Sequence, residues 1–251
     1  MAAAARAAEL IRQRAASVAS VEWEVKSRAD FVTDVDRAAE RAITDIVHER
    51  HPDAQLLGEE FSPSQDIERG LVFVVDPLDG TTNSLHGFPW YSVSIGALVD
   101  GTVTAGAVLN VPTGELFTAT AGGGARRNGQ PIAVSTIDDP LRALVSTGFP
   151  FKDQENVEPY LRQFERVVRD TSGVRRPGSA ALDLADVACG QFDAFWELSL
   201  APWDIAAGLL LIREAGGVVT DLAGQPAKVA HTGIVAGNPK MHAWLLQVVR
   251  E

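Results

Sequence analysis

Four acids stand where the apolar pattern of this chain starts or stops: Glu59 in "GEE", Asp76 and Asp79 in "VVDPLDGTTNSLHG", and Asp204 in "PWDIAAG". A single acid in such a place is ordinarily a cap or a solvated strand end. Asp204, in the first turn of a helix, suits the macrodipole. Asp76-Pro-Leu-Asp79-Gly taken alone reads as a turn in which the two carboxylates converge and the Leu78 carbonyl is exposed between them. Such a pair, straight after the buried run "LVFVV", is costly. Like charges repel, and partial burial pushes at least one pKa up. A cation removes both costs. Carboxylate oxygens select hard ions, and phosphate-chemistry sites favour Mg2+ or Mn2+. Zinc fits poorly, because none of the five histidines forms a ligand-like pair on one helical face.

The elements that must position these acids can be read from periodicity. The first residues, "MAAAARAAELIRQRAASVAS", form an amphipathic helix with Ala3, Ala7, Leu10, Ile11 and Val18 inward. "VEWEV" is a short strand. "TDVDRAAERAITDIVHER" is a helix with Ala38, Ala42, Ile43, Ile46 and Val47 on one face. Thr33 is its N-cap, and Asp36 completes a capping box. "AQLLGEE" and "LVFVVD" are buried strands ending in acids. From "YSVSIGALVDG" to the glycine cluster near residue 122 runs an antiparallel meander. Near residue 138 strands and helices begin to alternate. The reading is an α+β half over 1–137 and an α/β half over 138–251, one compact unit without a linker. The 251 residues suffice for a sizeable core. No apolar run is long enough to span a membrane, and the N-terminus lacks the apolar centre of a secretory signal. The single cysteine, Cys189, permits no internal disulfide and suits a reducing cytoplasm. A net charge of −11 disfavours nucleic acid and anionic lipid, and it disfavours a phosphorylated substrate unless cations neutralise the site.

Two phosphatase chemistries use such acids. In haloacid-dehalogenase-type enzymes the first Asp is a covalent nucleophile, but there the acids are two apart and share one face of an extended segment. Here Pro77 and Leu78 intervene. "DPLDGTTN", the upstream "GEE" and "DFVTDVD", and the downstream "PWDIAAGLLLIREAGG" together resemble the inositol monophosphatase family, in order, from about residue 25 to 240. The resemblance implies a layered α-β-α-β-α sandwich of the inositol monophosphatase and fructose-1,6-bisphosphatase type. It also implies a homodimer and a Mg2+-dependent, Li+-sensitive phosphatase with two to three ions per subunit, Mn2+ substituting. It assigns one ion to Glu59, Asp76 and the Leu78 carbonyl, and a second to Asp76, Asp79 and Asp204. A third, weaker ion would lie near Glu59. Thr81, held by Asp36, would orient the attacking water with Glu59, while the backbone N–H groups of Gly80 and Thr81 meet the phosphate. The attack is in line, without a phosphoenzyme.

Substrate choice belongs to "RRPGSAALDLA" and "FWELSLAPWD". The resemblance assigns contacts with polyol hydroxyls to Gly178, Ser179, Ala180 and Glu197, and proximity to substrate to Arg175. An exposed acid at Glu197 and a surface ion pair at Arg175 are the plainer alternatives. Trp196, Trp203 and Cys189 read as core residues. The loop after Lys26 is compact and lacks proline, which departs from longer members. The expected substrate is inositol 1-phosphate, with histidinol phosphate or fructose 1,6-bisphosphate as family alternatives. A different class of function, protein binding to the transcription machinery, is also known among bacterial relatives.

Overall fold

The computed structural model describes residues 1–15, 23–27, 30–151 and 154–250. The expectations for Val18, for the start of the strand at Val21 and for the loop after Lys26 fall on residues 16–22 and 28–29, outside that set.

Two helices, α1 (Ala2–Ala15) and α2 (Asp34–Arg50), form the outermost layer. Ala3, Ala4, Ala7, Ala8 and Ile11 are the buried stripe of α1, and Leu10 is only half-buried. Between the helices, β1 (Trp23–Ser27) and β2 (Asp30–Thr33) make a two-stranded ribbon. Thr33 caps α2 as expected: its hydroxyl accepts the Val35 N–H, and Asp36 accepts the Thr33 N–H. The buried face of α2 differs from expectation. It consists of Val35, Asp36, Ala39, Glu40, Ile43 and Val47, while Ala38, Ala42 and Ile46 are half-buried.

Beneath lies a seven-stranded sheet in the order β3 (Gln55–Gly58), β4 (Leu71–Asp79), β5 (Ser92–Val99), β6 (Thr102–Asn110), β7 (Leu116–Thr120), β8 (Gly124–Arg127), β9 (Gln130–Pro131). The β3–β4 pair is parallel, and the rest is the antiparallel meander. Asp100 and Gly101 both have positive φ, 48° and 76°, as a two-residue hairpin requires. Strand alternation divides the core. Val75, Val93, Ile95 and Leu109 face α1 and α2, whereas Val72, Val74, Leu98 and Phe117 face the other side.

That other side is covered by α5 (Ala180–Ala188) and α6 (Pro202–Glu214), which lie between the two sheets. The second sheet has the order β11 (Gly173–Arg175), β10 (Leu144–Thr147), β12 (Ala194–Leu200), β14 (Thr232–Gly237), β13 (Val218–Thr220). β10 is parallel to β11 and β12, and β14 is antiparallel to β12 and β13. Phe195 faces α5 and α6. Ala194 and Trp196 face the last layer, α4 (Val157–Asp170) and α7 (Pro239–Arg250). A five-residue helix, α3 (Thr81–Leu85), follows β4. The architecture is the α-β-α-β-α sandwich, and one core spans both halves of the chain. No described helix is long and apolar enough to cross a membrane.

One close approach matters for the site. A β-carbon on Gly96 would lie 2.7 Å from Ala206 Cβ, so glycine lets α6 settle directly onto β5. Ser94 reinforces this seat, its hydroxyl donating to Trp203 O at 3.3 Å. The N-terminus of α6, with Asp204, is thereby brought to the end of β4.

Candidate active site

The end of β4 is not the turn expected at Asp76–Asp79 but a bulge within a strand. Asp76 pairs with Ser94 and Asp79 with Ser92, so two residues of β4 stand opposite one of β5. Proline in the bulge is consistent, because Pro77 has no N–H for the ladder. The Asp76 carboxylate, 2% exposed, accepts the Leu78 N–H at 3.0 Å. Leu78 itself is a core residue, and its carbonyl accepts the Thr81 hydroxyl at 3.0 Å. Gly80 then reverses the chain into α3 with φ +93°, and a β-carbon there would crowd Trp90 O, Gly178 O and Tyr91 at 3.1–3.2 Å.

The charges acting on Asp76 are those of Glu59, Asp79 and Asp204, all acids. Burial and these three push its carboxyl well above the usual range. Asp79 is raised too, chiefly by burial, against the donors that favour its charge. Those donors include the Ser179 hydroxyl, the Ala181 N–H at 2.9 Å and, at 3.5 Å, the Ser92 hydroxyl. The first two belong to the start of α5, so Asp79 ties the two halves of the chain together. Asp204 accepts the Ala201 N–H at 2.7 Å, closing the first turn of α6. The capping role therefore holds alongside its place beside Asp76. Glu59 follows β3 in a turn, its N–H donating to Val75 O at 3.3 Å. Among the described residues no three His, Cys, Asp or Glu side chains are already drawn together as a ligand set. One oxygen of Asp76, of Asp79 and of Asp204 is instead held by the chain. What fits a hard divalent ion here is the donor chemistry: oxygen atoms only, from acids whose charges act on Asp76, with the Asp76 and Asp79 carboxyls both raised by burial in the absence of a counter-charge.

Thr81 and Asp36 meet as expected. The Thr81 hydroxyl lies 3.1 Å from Asp36 Oδ1. Asp36, 1% exposed, also takes the N–H of Thr33 at 2.9 Å and its hydroxyl. Burial nevertheless raises its pKa, with the Thr33 and Thr81 bonds pulling the other way.

The second-half residues are placed less uniformly. Gly178 has φ +97°, and Ser179 caps α5 while donating to Asp79, which puts it among the acids. Ala180 opens α5. Glu197 is half-buried on β12 and stands so close to Gly148 that a β-carbon there would lie 2.0 Å from Glu197 Oε2. Arg175 is exposed at the end of the edge strand β11, and its guanidinium folds back to Val174 O at 3.0 Å. Its neighbour Arg176 is the arginine at the junction. It lies over the rings of Phe149 and Phe151 at 5.2 and 5.0 Å, with Nη1 2.7 Å from where a Gly178 β-carbon would be.

Two residues escaped the sequence reading. Asn83, the last letter of "DGTTN", donates to Trp90 O at 2.7 Å and to Pro177 O at 2.9 Å, clamping α3 to the Gly178 junction. Its place in the motif was a signal, but its partners lie far along the chain. Asp183 is buried on α5, and Oδ1 has no hydrogen-bond partner among the described residues. Burial, then Glu197, Asp186 and Asp79, hold its carboxyl well above the usual range, and Arg176 partly offsets them. Inside an apolar helix pattern it gave no signal.

The inositol monophosphatase family profile matches residues 1–251. The Nus factor SuhB of Pseudomonas aeruginosa is 42% identical over 252 residues, covering 99% of this chain and 93% of that protein. Among solved structures, the extragenic suppressor protein SuhB of Bartonella henselae is 38% identical with a TM-score of 0.93, covering 99% of this chain and 96% of that one. A Thermotoga maritima IMPase is 33% identical with a TM-score of 0.90, covering 99% and 94%. Sequence and fold agree along the whole length, and the chain belongs to the inositol monophosphatase family.

Proposed function

We propose that the chain is a Mg2+-dependent phosphomonoesterase that hydrolyses inositol 1-phosphate to inositol and phosphate. The observation that carries the reading is buried Asp76 at the end of β4, on which the charges of Glu59, Asp79 and Asp204 all act, together with the Thr81–Asp36 hydrogen bond that follows it. Family membership supports water attack over the covalent haloacid-dehalogenase alternative. Glu59, Asp76, the Leu78 carbonyl, Asp79 and Asp204 are the oxygens that would hold the ions. Mg2+ bound there would neutralise phosphate charge and acidify the attacking water.

The chain's own residues supply the rest. The single Thr81 hydroxyl proton points to Asp36 Oδ1 or Leu78 O, so toward water Thr81 can act only as acceptor. It draws a proton from the water while its own passes to Asp36, whose raised pKa suits it to receive one. Glu59 would help to orient the same water. Gly80 and Thr81 offer backbone N–H groups to phosphate oxygens. Glu197, with Gly178, Ser179 and Ala180, would meet the hydroxyls of the leaving polyol, and Arg176, whose guanidinium lies against Gly178, would be the arginine near substrate rather than Arg175.

A screen of phosphate release with and without Mg2+ tests this, over inositol 1-phosphate, histidinol phosphate, fructose 1,6-bisphosphate and 3′-phosphoadenosine 5′-phosphate. The highest kcat/KM is expected for inositol 1-phosphate. Absence of Mg2+-dependent turnover on all four would refute the enzyme reading, and a faster alternative would reassign the substrate. The relative named Nus factor SuhB supports a second reading, binding to the transcription machinery through a protein surface. Binding retained by Asp79→Asn would separate that role from catalysis. The homodimer is proposed on the same resemblance and is tested by sedimentation.

A further inference from the structure

The turn that presents Glu59 is held from beneath by a residue outside the reaction scheme. Glu40, on α2, is 2% exposed. Its carboxylate accepts the N–H groups of Glu60 at 2.8 Å and Phe61 at 3.1 Å, the two residues directly after Glu59. The turn closes around it, with the Gly58 N–H donating to Ser62 O at 3.1 Å. Gly58 is what admits the carboxylate, since a β-carbon there would lie 2.3 Å from Glu40 Oε1. Arg41, the next residue of α2, lies over the Phe61 ring at 5.0 Å. One helical turn before Glu40, on the same face, stands Asp36, which receives the Thr81 hydroxyl.

We propose that Glu40 is a positioning residue: it fixes Glu59, and together with Asp36 it makes α2 the rigid spacer that sets the separation of Glu59 and Thr81. The inference rests on the reading of Glu59 as a metal ligand and of Thr81 as its partner in orienting water. A buried carboxylate is an expensive way to close a turn, because it must be stripped of water. What it gives in return is a short, charge-assisted grip on two consecutive N–H groups. The grip comes from a helix that is itself seated on the sheet and tied at Asp36 to the other end of the site.

The test is Mn2+ binding, followed by electron paramagnetic resonance of the free ion, on wild type, Glu40→Gln, Glu59→Gln and the double variant. Glutamine keeps the size of Glu40 but sets an amide donor against one of the two N–H groups. Each single variant is expected to weaken Mn2+ binding about tenfold or more. The double variant should bind no more weakly than Glu59→Gln alone, because Glu40 acts through Glu59. Wild-type affinity in Glu40→Gln, or additive losses in the double variant, would overturn the proposal. Wild-type affinity in Glu59→Gln would instead overturn the reading beneath it, and the proposal with it. If Glu40→Gln does not fold, Gly58→Ala carries the same test. Gly58 is an ordinary strand residue, so the methyl group strains no backbone and must displace the Glu40 carboxylate. Weakened Mn2+ binding is expected there too, and unchanged binding would overturn the proposal.

Discussion

Removing the Thr81 hydroxyl should damage catalysis far more than it damages the fold, and the two losses can be separated. In Thr81→Ala, Asp36 keeps the Thr33 N–H and hydroxyl but loses its third donor, and the Leu78 carbonyl loses its hydroxyl partner. A hydrogen bond to a charged group is worth about 1.5–3 kcal/mol, and Asp36 retains partners, so the stability loss should lie near the low end, about 1–2 kcal/mol. For a chain of this size that is a Tm decrease of roughly 2–8 °C in metal-free protein. Loss of a positioned proton acceptor costs about 10²–10⁴ in rate. Turnover of inositol 1-phosphate at saturating Mg2+, measured well below the lowered Tm, should therefore fall by at least a hundredfold. Thr81→Ser retains the hydroxyl and should stay within about tenfold of wild type. A Thr81→Ala protein with the expected Tm loss but kcat within a few-fold of wild type would refute the reasoning. The Thr81–Asp36 bond would then be only a clasp between α2 and α3.

Asp79→Asn should abolish most Mg2+-dependent turnover, while metal-free stability holds or rises because one of the mutually repelling acids becomes neutral; near-wild-type turnover at saturating Mg2+ would remove Asp79 from the ligand set. Glu197→Ala should lower kcat/KM for inositol 1-phosphate by roughly ten- to a hundredfold, a charged acceptor bond being worth about 1.5–3 kcal/mol, and should change p-nitrophenyl phosphate hydrolysis several-fold less; equal losses would mean general support of the site. Asp186, on α5, is pushed up to about 7, first by burial and then by Glu115, with Arg127 opposing. Its folded state holds a proton that the unfolded chain releases near pH 3.9, so its contribution falls as pH rises from about 4 to 7. Urea melts of wild type and Asp186→Asn should diverge across that window, the variant gaining on the order of 3–4 kcal/mol by pH 8; a pH-independent difference would contradict the raised pKa.

What the sequence alone determined was local. The capping box at Thr33 and Asp36 spans three residues, the Asp100-Gly101 hairpin two, and Asp204 sits in the first turn of its own helix. Such features form because backbone preference and a neighbouring side chain suffice. The order of "GEE", "DPLDGTTN" and "PWD" was equally legible, since hydrophobic periodicity marks where strands and helices end. Periodicity misplaced the α2 face because it treats polar residues as outward, whereas Asp36 and Glu40 point inward to hydroxyl and N–H donors. It also missed the β4 bulge, which is defined only by register against β5. The resemblance implied that Asp204 meets Asp76 and Thr81 meets Asp36, but tertiary structure decided how these and the other distant residues meet. Asp79 reaches the start of α5, Asn83 clamps Pro177, and Arg176 rather than Arg175 lies against Gly178. Asp204 arrives beside Asp76 because Gly96 lets α6 rest directly on β5. These contacts depend on sheet register and on how closely two layers can approach, and no run of neighbouring residues encodes either distance.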